Sequence, residues 1–184
     1  MTGSKEDVAS GVAGRSGSRP RRGWAPPPNT SFKFNTDGAF IPSSSRAACG
    51  VLARDCRGKV IWWYSGKVVA TSALMAEAWA LRIACVAARD QGLHRGCFET
   101  DCKELIDLLG SPTKKSPWEV STIVEDIMEL KLGKDWVFAW CRRNGNQAAH
   151  WLAKHSLNRD LLVHSGCIPH ALQEIVNLDV TSLV

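Results

Sequence analysis

Long apolar runs are missing from this 184-residue chain. No stretch approaches the roughly 20 apolar residues that cross a bilayer as a helix, and the first residues lack the apolar core of a secretory signal. Cysteines are present, but no two have the Cys-x-x-Cys spacing of a zinc site, and seven scattered thiols make a poor disulfide framework. These absences predict a soluble, intracellular protein of the nucleus or cytoplasm, with its thiols reduced and no membrane partner. No repeat recurs along the chain.

A hydrophobic content of 45% is enough for one good core, so one domain is the default. The formal charge of +5 suits a polyanionic partner, although an excess this small is weak evidence on its own. The opening 30 residues are rich in Gly, Ser, Arg and Pro and are expected to form a flexible basic leader, residues 1–30. Its Arg15, Arg19, Arg21 and Arg22 are either solvated linker residues or phosphate contacts.

Folding is expected to begin at Ser31. "FKFNTDGAF" alternates as a strand, and "RAACGVLARDCRGKVIWWYSGKVVA" reads as two more strands joined by a hairpin turn at Asp55-Cys56-Arg57-Gly58. "SALMAEAWALRIACVAARDQG" changes to helical spacing, with Leu74, Ala78, Leu81, Cys85 and Ala88 on one stripe and Gly92 ending the helix. "HRGCFETD" follows a helix and is expected to lie parallel to the first strand. "CKELIDLLG" and "PWEVSTIVEDIMELKLG" are helical, "DWVFAWCRR" is a fifth strand, and "NQAAHWLAKHSLN" is a closing helix with Asn146 as its N-cap. The order βββαβααβα predicts an α/β fold. Three antiparallel strands are extended by parallel ones into a five-stranded mixed sheet flanked by helices, over residues 31–158. The C-terminal extension, residues 159–184, ends in a short helix to which the sequence gives no role.

Three acids attract attention, and each has a plain structural explanation. Alternation places Lys33, Asn35 and Asp37 on one face of the first strand and Phe32, Phe34 and Thr36 on the other, while Asp37-Gly38 is also a strong turn dipeptide. Glu77 has only apolar neighbours at helical spacing, so its carboxylate requires an arginine or a shared cation. Asp101 has the capping-box spacing to Glu104, and Glu99 shares its strand parity. Brought together on such a sheet, Asp37, Glu77 and Asp101 would repel one another unless a cation lay between them, and hard oxygen donors select Mg²⁺ or Mn²⁺.

In order and spacing, "KFNTDGAF", "AEAWALRIA", "FETDCKELIDLL" and "RRNGNQAAHWLAKHS" resemble the type 1 ribonuclease H domain. The nearest likeness is to its plant reverse-transcriptase-like branch, whose members often carry a Trp-x-Pro-Pro-Pro lead-in like Trp24 to Pro28. The resemblance covers about Trp24 to Leu157 and implies a ribonuclease H-like fold. It also implies cleavage of the RNA strand of an RNA–DNA hybrid by a monomer using two Mg²⁺ ions. On this likeness Asp37, Glu77 and Asp101 are the central metal ligands, with Asp37 bridging.

The sequence departs from the family at His150, which stands where catalytic members usually carry a fourth aspartate. Imidazole is a poor ligand for Mg²⁺ and a more acceptable one for Mn²⁺; the alternative is a helix residue with no ligand role. The flexible histidine loop of well-studied members has no room between Cys141 and Gly145, and Arg143 matches an arginine of the loopless branch. With no basic helical protrusion, nucleic-acid grip falls to Lys33, Arg143 and Lys154. Trp62, Trp63, Trp79, Trp136, Trp140 and Trp151 are candidates for base stacking or for the core. Three readings follow: a metal-dependent hybrid ribonuclease, a binding module of the same fold without turnover, and a protein-interaction scaffold.

Overall fold

The computed structural model describes residues 23–111, 116–158, 163–164 and 167–181. Its strands are β1 (Phe32–Ile41), β2 (Arg46–Arg54), β3 (Val60–Val68), β4 (Arg95–Thr100), β5 (Asp135–Trp140) and the two-residue β6 (Val163–His164). Its helices are α1 (Ala73–Asp90), α2 (Lys103–Gly110), α3 (Trp118–Lys131), α4 (Gln147–Asn158) and α5 (His170–Thr181). Among the described residues no helix is long and apolar enough to cross a membrane.

The β2–β3 turn forms where its sequence predicts. The Asp55 carboxylate accepts the backbone N–H groups of Arg57 and Lys59 at 2.8 and 2.9 Å, and Gly58 takes the positive φ of 80° that a side chain resists. The strands lie in the order β5-β4-β1-β2-β3-β6. β1, β2 and β3 are antiparallel, while β4 runs parallel to β1 and β5 parallel to β4. The five predicted strands are all present, and β6 adds a short antiparallel rung to β3.

Strand alternation feeds two cores. On one face Phe34, Val51, Ala53, Phe98 and Trp136 pack with Leu81, Leu105, Val120 and Ile127 of α1, α2 and α3. Phe34 and Phe98 stack there at 4.9 Å, each fully buried ring contributing about 1.5–3 kcal/mol. On the other face Leu52 and Trp63 meet Ala148 and Leu152 of α4 and Leu172 and Val176 of α5.

Described residues on both sides of 31–158 pack against it. Trp24 is 2% exposed, with the Arg54 guanidinium 3.8 Å from its ring centre, so packing begins ahead of Ser31. Within the C-terminal extension α5 packs into the second core, and its Asp179 accepts a 2.7 Å charged hydrogen bond from buried Arg54. Arg15, Arg19, Arg21 and Arg22 lie outside the described residues.

Candidate active site

The site lies in a notch of the sheet. The β1–β4 ladder stops at Thr36–Thr100, so from Asp37 onward β1 pairs only with β2, Asp37 opposite Gly50 and Gly38 opposite Cys49. Two glycines then let helices close in from both faces. A methyl carbon on Gly38 would lie 2.3 Å from the backbone of Ala76 and Glu77 in α1, and one on Gly50 would lie 2.2 Å from the Ala149 carbonyl oxygen in α4. The glycine after Asp37 therefore serves helix approach. The turn reading is corrected, because β1 continues through Ile41 and turns at Pro42–Ser45.

That geometry brings the three acids together: one carboxylate oxygen each from Asp37, Glu77 and Asp101 lie within 4.8 Å of one another. Among the described residues Glu77 has no guanidinium partner. Its carboxylate accepts from the Thr100 hydroxyl at 3.1 Å and from the Gly38 N–H, both neutral donors. Asp101 is not the α2 cap either. Cys102 occupies the cap position without a side-chain bond, and the Cys102 N–H is taken by the Thr100 hydroxyl at 3.0 Å. Asp101 instead receives Arg143 Nη1 at 3.1 Å and Asn146 Nδ2 at 3.3 Å. Glu99 stays out of the cluster, held by Lys33 and by Asn35 Nδ2.

Burial and mutual repulsion set the electrostatics. Loss of water raises the Glu77 carboxyl well above its ordinary value, and the charges of Asp37 and Asp101 push it further. Burial also raises Asp37, opposed by a hydrogen bond from His150 and reinforced by the charge of Asp101. His150 Nδ1 lies 3.1 Å from Asp37 Oδ2, and Arg143 Nη2 lies 2.9 Å from the same imidazole. Arg143 thus spans Asp101 and His150, while among the described residues Glu77 has no cationic neighbour. An oxygen-only donor set of this compactness fits a hard divalent cation.

The remaining predicted residues divide. Lys33 is corrected as a nucleic-acid contact: it is 6% exposed and its ammonium is held by Glu99. Arg143 keeps 56% of its side chain exposed beside the acids, and Lys154 is exposed one turn beyond His150 on α4. Asn146 stands at the N-cap position, where its carbonyl accepts the His150 N–H. Its amide, however, donates to the Thr36 carbonyl at 2.9 Å and to Asp101, an anchoring role that the capping signal hid. Trp63 and Trp136 are core, whereas Trp140 is 47% exposed and donates to the Asp101 carbonyl. Cys141 to Gly145 is a short connection with one 3₁₀ turn.

Residues 35–156 match the family model described as reverse transcriptase-like. No curated protein matches the chain significantly. Among solved structures, ribonuclease H1 of the halophilic archaeon Halobacterium salinarum superposes with a TM-score of 0.64 at 22% identity, over 70% of this chain and 98% of that one. LC11-RNase H1 in complex with an RNA/DNA hybrid gives 0.61 at 20% identity over 69% and 96%. LC9-RNase H1, described as a type 1 enzyme with the type 2 active-site motif, gives 0.64 at 15% identity over 86% of each chain.

Proposed function

Because the chain belongs to the reverse transcriptase-like family and has the ribonuclease H fold, we propose that it is a divalent-metal-dependent endoribonuclease that hydrolyses the RNA strand of RNA–DNA hybrids. The observation that carries this reading is the carboxylate triad: acids from β1, α1 and the β4–α2 junction have oxygens within 4.8 Å of one another and, among the described residues, one guanidinium and one imidazole against them. LC11-RNase H1, of the same fold, has been crystallised on such a hybrid.

Bound Mg²⁺ or Mn²⁺ supplies Lewis acidity that activates water and stabilises the leaving oxygen of a phosphodiester. Asp37, Glu77 and Asp101 would hold the cation, one carboxylate oxygen of each lying within 4.8 Å of the others. Thr100 and the Gly38 N–H hold Glu77 in place, and Asn146 and Arg143 hold Asp101. His150 holds Asp37 Oδ2 through its Nδ1 at 3.1 Å and would be the fourth ligand. Arg143 and Lys154 would contact substrate phosphates around this centre.

The test is cleavage of a labelled hybrid in parallel Mg²⁺ and Mn²⁺ series. Wild type should cut, more readily with Mn²⁺, and His150→Asp should raise the Mg²⁺-supported rate. A folded wild type and His150→Asp that both leave the hybrid intact would overturn the enzymatic reading. A second reading, a module that binds hybrid without turnover, is favoured by one contact: Arg143 already bridges Asp101 and His150. It predicts salt-sensitive affinity with no product.

A further inference from the structure

A cleft of about 360 Å³ opens at the end of β5, within the volume range of small-ligand sites. Trp24, Lys33, Glu99, Trp140, Arg142 and Gly145 line it. Two contacts tie its lining to Asp101. Trp140 donates its indole N–H to the Asp101 carbonyl at 3.2 Å, and Gly145 directly precedes Asn146, whose amide reaches Asp101.

The charges that face the cleft are Lys33, Glu99 and Arg142. Lys33 and Glu99 cancel in a mostly buried pair. Arg142 is exposed and has no ion pair or side-chain hydrogen bond among the described residues. The cleft therefore presents one unbalanced positive charge beside one half-exposed aromatic ring. Trp136 on the same strand is 2% exposed against 47% for Trp140, so the ring at this end of β5 is not a core residue.

A cation next to an accessible aromatic surface has the chemistry of a nucleotide subsite, phosphate on the one and base on the other. We propose that this cleft takes a nucleotide of the substrate next to the one at the carboxylates, with its base stacked on Trp140 and its phosphate paired with Arg142. The proposal rests on the hybrid-ribonuclease reading and extends it by naming where the chain grips its substrate without a basic protrusion.

The experiment measures affinity for a labelled RNA–DNA hybrid across a salt series, in the full chain carrying Asp37→Asn so that binding is read without turnover. Adding Trp140→Ala should weaken binding about five- to 150-fold, the range for loss of one stacked base. Trp140→Phe retains a ring and loses the bond to Asp101, so it should stay within about threefold of the parent. Arg142→Gln should lower the slope of log affinity against log salt by about one.

Unchanged affinity and slope in Trp140→Ala and Arg142→Gln would overturn the proposal. So would Trp140→Phe as weak as Trp140→Ala, which would give Trp140 the role of positioning Asp101 rather than stacking. A parent with no salt-sensitive affinity for hybrid would instead remove the functional reading on which the proposal stands.

Discussion

Lys33, Asn35 and Asp37 follow one another along the same face of β1 and belong to polar clusters of opposite character. The first two residues enter a closed network. Lys33 pairs with Glu99, Asn35 bridges Glu99 and Arg54, and Arg54 pairs with Asp179 of α5, so two cations meet two anions. Asp37 enters an open cluster in which three carboxylates meet one half-exposed guanidinium and one imidazole. Buried charge that serves the fold is matched within the fold, because an unpaired ion costs several kcal/mol. The unmatched cluster marks where an external cation belongs.

The contrast can be broken from either side. The largest effect is expected in the open cluster: Asp37→Asn should reduce hybrid cleavage by about a thousandfold or more, several kcal/mol of lost transition-state stabilisation. Its unfolding free energy without metal should not fall, since a repelling charge has been removed; initial rates and denaturant melts on one preparation check both. The closed network should respond oppositely. Asp179→Ala leaves the fully buried Arg54 unpaired and should destabilise the domain by about 3–5 kcal/mol in chemical denaturation.

Between the clusters, Gly38→Ala forces a methyl group into the α1 backbone at 2.3 Å and should cost about 1–3 kcal/mol of stability. Cleavage should fall with it, because α1 carries Glu77 away from Asp37.

The smallest effect is a difference in pH dependence. The Glu77 carboxyl is raised in the folded state by burial and by its acidic neighbours, so folding favours its protonated form. The stability it lends is complete below the unfolded value near about pH 4.3 and is lost as pH rises through the higher folded value. Metal-free Glu77→Gln should therefore be more stable than wild type at neutral pH, with the gap narrowing toward pH 4. Thermal melts in chelator across that range test this; a gap that widens on acidification would contradict it.

Periodic features were legible in the sequence. The alternation of β1, the apolar stripe of α1 and the helix that precedes a parallel β4 all repeat at fixed spacing, and the structure follows them. What the sequence concealed was non-local. Asp37-Gly38 suits a turn and a close helix contact equally well, and the second becomes evident only with α1 against Gly38 and Gly50 under α4. Asp101 and Glu104 have capping spacing, yet α2 starts one residue later with Cys102 at its cap, and Asp101 is bound by Arg143 and Asn146 instead. Lys33 reads as a surface cation until Glu99, 66 residues away, is placed beside it. The Arg54–Asp179 pair, which ties in α5, spans 125 residues. Local spacing cannot supply these partners, because the fold brings them from 66 and 125 residues away.

The central claim is that the open cluster is completed by a divalent cation, and titration calorimetry of Mn²⁺ into metal-free wild type and Asp37→Asn at neutral pH tests it most directly. Saturable binding to wild type that Asp37→Asn loses is the predicted result. Absence of binding to folded wild type, or equal binding to both proteins, would contradict the account.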